Sequence, residues 1–247
     1  MRSNDAVGQK SARAVQTDRL SKSFGSVIAL HDVTIEVPYG QCLSVIGPNG
    51  AGKTTLIRIM ATLSRPTAGQ VRVDGLDVQE WGSRVRGLVG FAGHDTLLYP
   101  YLTAVENLRF YGRMYGVPEV ERRISELLVQ FELTGLENET TKALSRGMLQ
   151  RLSLARAMLH KPRILLLDEA YASLDAHATD LVDTVLSDLC AQGGAVVLTT
   201  HDTRRVADIA SQVLILVDGQ VACRVDMATA SAEDLRDLYR QHTGSRR

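Results

Sequence analysis

A glycine-rich segment at residues 47–54 (GPNGAGKT) constrains the fold of this chain more than any other feature of its sequence. The segment fits the pattern G-x-x-x-x-G-K-[ST], follows an apolar run at 41–46 and precedes a helical pattern at 54–63. Its glycines allow successive backbone N–H groups to turn toward phosphate oxygens, and the helix N-terminus adds partial positive charge. The sequence therefore predicts a phosphate-binding loop between a buried strand and a helix.

The side chains of this loop have separate predicted roles. We expect Lys53 to place its ammonium group on the β- and γ-phosphates of a nucleotide, and the Thr54 hydroxyl to be a ligand of Mg²⁺. The nucleotide-binding residues predicted in this part of the chain are Gly47, Pro48, Asn49, Gly50, Ala51, Gly52, Lys53, Thr54 and Thr55.

Two adjacent acids, Asp168 and Glu169, follow an apolar strand pattern at 164–167. In open α/β sheets, ligands lie beyond the carboxyl ends of the strands, so this strand is expected to bring both carboxylates to the phosphate loop. Because successive side chains of a strand point to opposite faces, the two acids are expected to differ in role. We expect Asp168 to hold Mg²⁺ through water and Glu169 to accept a proton from the attacking water.

Further strand and helix patterns predict an α/β protein with a parallel-sheet core. Asp74-Gly75 lies between two short strand patterns and is a strong hairpin signal. The other predicted strands lie at 33–37, 70–73, 77–78, 87–91, 195–199 and 213–217, with helical stretches separating those that follow residue 162.

The middle of the chain has a helical pattern with little strand character, and Thr103 with Glu106 has the spacing of a capping box. We expect a mostly helical subdomain at about 94–162, inserted into a single domain that covers 15–240. Residues 1–14 are predicted to form a flexible N-terminal tail and residues 241–247 a C-terminal tail.

Composition argues against several other functions. The 28 Lys and Arg balance the 28 Asp and Glu, and this zero formal net charge argues against binding of nucleic acid by bulk electrostatics. No apolar run approaches the roughly 20 residues that a membrane-spanning helix needs, and the N-terminus lacks the apolar stretch of a secretory signal. The cysteines, at 42, 190 and 223, form no C-x-x-C pair and indicate neither a disulfide framework nor a zinc site.

Residues 144–151 (LSRGMLQR) resemble the signature motif of ABC-transporter ATPase domains, whose usual form is LSGGQ followed by Q-R. Ser173-Leu174-Asp175 matches the D-loop of that family and His201 its switch histidine, while Phe24 falls where the family places an aromatic ring against adenine. The resemblance covers about residues 17–218. It implies a P-loop NTPase fold of the ABC ATPase type, with a RecA-like core, an antiparallel β subdomain and an inserted helical subdomain.

The same resemblance implies an ATPase mechanism that needs ATP, Mg²⁺ and a homodimer. Two such domains face each other head to tail on ATP binding, so that Ser145 and Gly147 of one contact the γ-phosphate held by the other. Asp175 is implied to communicate across the dimer, and His201 to contact the γ-phosphate and steady the attacking water. A helix capped by Ser145 would point its positive end at that phosphate.

Four positions depart from the family pattern. Arg146 and Met148 stand where the signature has Gly and Gln, and Ala170 stands where a proline commonly follows the glutamate. His94 stands where the Q-loop has Gln, in a register that we obtain by counting back from the Tyr-Pro pair at 99–100. The family's Q-loop residue contacts Mg²⁺ and the water, which implies a catalytic role for His94. Because imidazole titrates near neutral pH and an amide does not, we expect a pH dependence that Gln would not allow.

Gly93-His94 and residues 106–111 (ENLRFY) look like those of the ATP-binding subunits of cytochrome c biogenesis haem exporters, the CcmA-like group, and 146–148 and 171–175 point the same way. This implies export of haem or a haem-pathway component through separate integral membrane permease subunits, with the chain peripheral on the cytoplasmic face of the membrane. An ABC-2-type multidrug or lipid exporter subunit would have identical ATP chemistry. A soluble ABC ATPase, such as an iron–sulfur assembly factor, fits the Q-loop and signature less well.

Overall fold

The computed structural model describes residues 13–171 and 173–244, which form two β-sheets with helices packed against them. The strands are β1 (Arg13–Phe24), β2 (Val27–Pro38), β3 (Cys42–Ile46), β4 (Ala68–Val73), β5 (Leu76–Asp77), β6 (Val89–Ala92), β7 (Ile164–Asp168), β8 (Ala195–Thr199), β9 (Gln212–Val217) and β10 (Gln220–Asp226). The helices are α1 (Lys53–Met60), α2 (Gly82–Leu88), α3 (Ala104–Met114), α4 (Val120–Gln130), α5 (Arg146–Ala157), α6 (Ala176–Ala191), α7 (Thr203–Ile209) and α8 (Ala232–Thr243).

The larger sheet has the strand order β10-β9-β3-β8-β7-β6, and its strands are parallel except where β10 pairs with β9. Every residue of β3, β7 and β8 is buried, which agrees with their largely apolar sequences, in which Ser44, Asp168 and Thr199 are the polar residues. Helix α1 and the smaller sheet cover one face of these strands, and α3 to α6 cover the other. The sheet is thus a buried central layer.

The smaller sheet is antiparallel with the strand order β2-β1-β4-β5. Its β4–β5 hairpin turns at Asp74 and Gly75, both with positive φ, as the Asp-Gly signal predicts. Strand β1 was not predicted from the sequence, because register shifts interrupt its alternation of buried and exposed residues. Strand β10 was not predicted either, because apolar Ala222 stands at an exposed position of this edge strand and interrupts its apolar–polar alternation.

The segment between β6 and β7 contains α3, α4, a 3-10 turn at Thr141–Ala143 and α5. The predicted capping box is present, because Thr103 accepts a hydrogen bond from the Glu106 backbone and the Glu106 carboxylate accepts one from the Thr103 backbone. This cap starts α3 and satisfies two N–H groups that a helix N-terminus would otherwise leave unpaired.

Both predicted tail boundaries need correction. Arg13 and Ala14 belong to β1, where Ala14 is fully buried, so the first ordered strand begins inside the predicted tail; residues 1–12 lie outside the described part of the chain. Helix α8 begins at a capping box at Ser231, is anchored in the core by Leu235, and continues to Thr243 with Gly244 as its C-cap. Residues 241–243 are therefore helical, and 245–247 lie outside the described residues.

Across 13–171 and 173–244, none of the helices combines the length and the apolar character that crossing a membrane would require.

Candidate active site

The carboxyl ends of three neighbouring strands place the phosphate loop beside the two acids. Strand β8 pairs with both β3 and β7, and Thr199 at its end is the register partner of Val45 on one side and Asp168 on the other. The loop that follows β3 therefore begins next to the acids that end β7. The strand order therefore places the carboxylates at the end of β7 beside the phosphate loop, as expected.

Lys53 is buried within the phosphate loop, with only 7% of its surface exposed. Its Nζ donates hydrogen bonds to the carbonyl oxygens of Gly47, at 2.7 Å, and Pro48, at 3.1 Å. Burial lowers the pKa of the Lys53 ammonium group, while the negative charges of Glu169 and Asp168 act in the opposite direction. The loop thus holds a poorly solvated donor at the site where phosphate oxygens are expected.

The backbone of this loop leaves no room for a side chain at two of its glycines. Gly52, the N-cap of α1, has φ +100°, and a Cβ there would lie 2.3 Å from the carbonyl oxygen of Ala29. A Cβ on Gly47 would lie 2.1 Å from the carbonyl oxygen of Leu216. The loop is therefore wedged against β2 and β9, and glycine is required for this close approach.

Asp168 is the polar centre of the site. Its Oδ1 accepts a hydrogen bond from the Thr54 hydroxyl at 3.1 Å and another from the Thr199 hydroxyl at 2.7 Å. The two residues that the sequence singled out for Mg²⁺ are therefore in direct contact. Sequence reasoning missed Thr199, whose only signal is a polar residue at the end of the next buried strand.

The donor set fits Mg²⁺ bound together with a nucleotide. A hydroxyl and a carboxylate are oxygen ligands of the type that Mg²⁺ prefers, with phosphates and water completing its shell. In the described residues, no group of three or more His, Cys, Asp or Glu is placed to hold a metal ion by itself. Thr54 and Asp168 could thus hold the ion only with help from phosphate oxygens and water.

Glu169 and His201 form the second pair of the site, with Glu169 Oε2 2.9 Å from His201 Nδ1. The Glu169 backbone N–H donates to the Thr199 hydroxyl and to the Thr199 carbonyl oxygen. Glu169 has φ +55°, a left-handed conformation that costs energy for a residue with a side chain and occurs preferentially at functional sites. The structure therefore joins a carboxylate and an imidazole that are far apart in sequence.

His94 lines the same cleft as the magnesium candidates and Glu169. The cleft has a volume of 470 Å³. On either side of His94 the chain is fixed by α5, since Arg156 Nη2 donates to the Phe91 carbonyl and the Ser153 hydroxyl donates to the Thr96 carbonyl. The cleft is lined by Thr54, Arg58, Leu63, Phe91, Gly93, His94, Asp95, Leu97, Asp168 and Glu169.

Four predicted site residues are not joined to this centre. Ser145 accepts a hydrogen bond from the Met148 backbone and caps α5, and Asp175 accepts one from Ala178 and caps α6. Phe24 is 54% exposed and lies 4.6 Å from the Lys22 ammonium group. Within 13–171 and 173–244, no hydrogen bond or ion pair connects residues 47–55 with any of Phe24, Ser145, Gly147 and Asp175.

Comparisons with known proteins show the family and the fold of this chain. A family model described as ABC transporter matches residues 30–172. Nod factor export ATP-binding protein I of Cupriavidus pinatubonensis (strain JMP 134 / LMG 1197) is 32% identical over 84% of this chain and 69% of its own length. The Fe(3+) ions import ATP-binding protein FbpC of Escherichia coli (strain K12) is 32% identical over 92% of this chain, which spans only 64% of that relative. A dimeric ATP-binding cassette in a post-hydrolysis state with bound ADP and Pi has a TM-score of 0.80 at 29% identity, covering 86% of this chain and 98% of that one.

Proposed function

Since this chain belongs to the ABC transporter family and is an ATP-binding subunit and ATPase of that family, we propose that it energises export through separate membrane subunits. One observation supports giving individual residues roles in ATP hydrolysis. Asp168 contacts Thr54 beside the Glu169–His201 pair. Together these contacts bring the parts needed to hydrolyse the terminal phosphoanhydride bond of ATP to one edge of one sheet.

Atom positions support the proposed role of each residue. Lys53 and the backbone N–H groups of 47–55 bind the phosphates, and Thr54 with Asp168 would hold Mg²⁺, which neutralises phosphate charge when bound. Glu169 accepts the proton of the attacking water. His201, in contact with the Glu169 carboxylate, orients that group and the γ-phosphate.

The remaining site residues are proposed to act across a homodimer that forms on ATP binding. Ser145 is exposed at the N-terminus of α5, so this positive helix end with Gly147 is available to a phosphate held by a second copy. Asp175 lies at the corresponding end of α6, and exposed Phe24 offers a ring for adenine to stack on. The dimeric cassette with 29% identity supports this arrangement.

His94 is proposed to take the part that Gln has in the family's Q-loop, because it lines the cleft with Thr54, Asp168 and Glu169. Imidazole changes charge between pH 5 and 8 and an amide does not, so His94→Gln is expected to change the shape of the pH–rate profile of ATP hydrolysis. Steady-state rates measured from pH 5.5 to 8.5 test this. Superimposable profiles for the two proteins would remove His94 from any titrating role.

The identities of the cargo and the membrane partner are the most specific part of the proposal. Residues 93–94 and 106–111 support haem or a haem-pathway component as cargo and a peripheral position on the cytoplasmic face, with integral permease subunits as partners. The Nod factor relative supports export, whereas the iron relative is named for import. Neither name mentions haem.

Isolation of the tagged chain from detergent-solubilised membranes tests the transport role. We expect a multi-span membrane protein to copurify in a stable ratio, and haem to stimulate ATP hydrolysis by that complex. The matched control is the Lys53→Met variant, which should keep the partner and lose the stimulation. A drug-stimulated complex would favour the ABC-2-type alternative, and copurification with an iron–sulfur scaffold alone would refute transport.

A further inference from the structure

A cluster of three side chains lies just outside the active site and joins three segments of the chain. The Tyr171 hydroxyl donates a hydrogen bond to Asp183 Oδ1 at 2.6 Å, and Arg205 Nη1 donates one to Asp183 Oδ2 at 2.7 Å. Both oxygens of the Asp183 carboxylate are therefore used, each by a different segment. The Arg205 guanidinium also lies 5.8 Å from the centre of the Tyr171 ring, so each of the three side chains lies close to the other two.

Each member of this Tyr171–Asp183–Arg205 cluster lies on a segment of the chain that carries a proposed active-site residue. Tyr171 follows Glu169 by two residues, and Arg205 follows His201 by four at the start of α7. Asp183 lies on α6, the helix that Asp175 caps. The cluster thus ties together the segments that carry the carboxylate, the imidazole and the D-loop.

The chain around the Glu169–His201 pair is held at two points. On the amino side, the end of β8 holds both residues, because the Glu169 backbone donates to Thr199 and His201 follows Thr199 by two residues. On the carboxyl side, Tyr171 and Arg205 are bonded to the same carboxylate. Since Glu169 has an unfavourable positive φ, its position depends on anchors on both sides.

The physical setting makes the cluster stronger than a surface ion pair. The side chains of Asp183 and Arg205 are 21% and 27% exposed, so salt and water screen their attraction less than that of exposed pairs. Burial first, and then the hydrogen bond to Asp183, raise the pKa of the Tyr171 hydroxyl, which therefore remains a protonated donor. Asp180 lies 3.6 Å from Arg205 and adds a second negative charge.

We propose that the Tyr171–Asp183–Arg205 cluster fixes the separation of Glu169 and His201, so that Tyr171 and Arg205 are positioning residues for ATP hydrolysis, an inference that rests on the proposed roles of Glu169 and His201. The cluster touches neither Lys53 nor Thr54 through any hydrogen bond or ion pair among the described residues. It therefore acts on the hydrolytic step and leaves nucleotide binding by the phosphate loop intact.

The test is Tyr171→Phe, which removes one hydroxyl and keeps the ring. We expect kcat for ATP hydrolysis to fall roughly 10- to 100-fold while KM for ATP stays within about twofold, because misplaced groups lose rate without losing binding. Arg205→Gln should have a similar effect, and the double variant should lose far less than the product of the two single losses. If Tyr171→Phe loses cooperative unfolding, Asp183→Asn, which keeps the shape of the side chain, is measured instead. The same fall in kcat with little change in KM is expected.

The chain supplies a matched control at the opposite edge of the sheet. There the Tyr39 hydroxyl donates to Asp74 Oδ1 at 2.6 Å, and Arg163 lies over the Tyr39 ring and 3.6 Å from Asp74. Tyr39→Phe therefore removes a Tyr–Asp hydrogen bond from a second Tyr–Asp–Arg cluster, one that does not contact the active site. Its kcat should equal that of the wild-type protein.

Unchanged kcat in Tyr171→Phe would overturn the positioning role, as would equal losses in Tyr171→Phe and Tyr39→Phe, because those mark a general loss of stability. Failure of the proposed function looks different. If Glu169→Gln hydrolyses ATP at the wild-type rate, the base role of Glu169 fails. If Glu169→Gln is inactive and Tyr171→Phe is normal, the base role stands and only the positioning role is rejected.

Discussion

Replacing Glu169 with Gln is expected to lower the rate of ATP hydrolysis by at least about 100-fold and to leave ATP bound, because an amide cannot accept the proton of the attacking water. Gln has nearly the same shape and can still bond to His201, which is now 2.9 Å from the carboxylate. The phosphate loop is untouched, so nucleotide affinity should persist. We therefore expect the variant to accumulate as an ATP-bound dimer.

Two measurements check this result. Phosphate release gives the rate, and size-exclusion chromatography with ATP and Mg²⁺ gives the dimer fraction. The matched control is Glu139→Gln, since Glu139 is exposed and lies in the connection between α4 and α5, away from β7. Hydrolysis within tenfold of the wild-type rate in Glu169→Gln would exclude Glu169 as the general base, and an inactive Glu139→Gln would point to a damaged preparation.

Replacing Lys53 with Met should weaken ATP binding by roughly 10- to 100-fold, the range expected when a hydrogen bond from a charged donor is lost. The effect is large because the Lys53 residue is only 7% exposed and no other side-chain cation is bonded within the loop among the described residues. Removing it also leaves the carbonyl oxygens of Gly47 and Pro48 without this donor, which loosens the loop itself.

Titration calorimetry with ATP and Mg²⁺ measures the affinity, and thermal unfolding without nucleotide verifies the fold. Lys142→Met is the control, because Lys142 is exposed in the 3-10 turn before α5, where it lies 5.4 Å from the Tyr101 ring. We expect that control to bind ATP as the wild-type protein does. Equal affinities for Lys53→Met and Lys142→Met would show that the Lys53 ammonium group does not contact the phosphates.

Much of the site could be predicted because its signals are local in sequence. The phosphate loop needs glycines, a lysine and a threonine at fixed spacing, and the two acids need only to end a buried strand. The capping box at Thr103 is likewise a three-residue relationship. The resemblance to ABC ATPases predicted the fold, which the family match and the structural neighbours confirm.

Other features could not be predicted because they depend on contacts between distant residues. Thr199 matters only because β8 lies between β3 and β7, which no local pattern specifies. Arg205 has no motif, and its position over Tyr171 follows from how α6 and α7 pack. The edge strand β10 could not be predicted because apolar Ala222 stands at an exposed position, which obscures in the sequence the alternation that pairing with β9 produces.

The sequence by itself determined which groups are proposed to perform the chemistry: a lysine in a glycine loop, a threonine, two acids and a histidine. Backbone conformation and spacing within a few residues are sufficient for that, since they depend on local sterics and hydrogen bonds. Only the tertiary structure decided which of these groups meet. The parallel order of β3, β8 and β7 brings Asp168 to Thr54, and Glu169 to His201, because burying three largely apolar strands requires them to pair at the centre of the sheet.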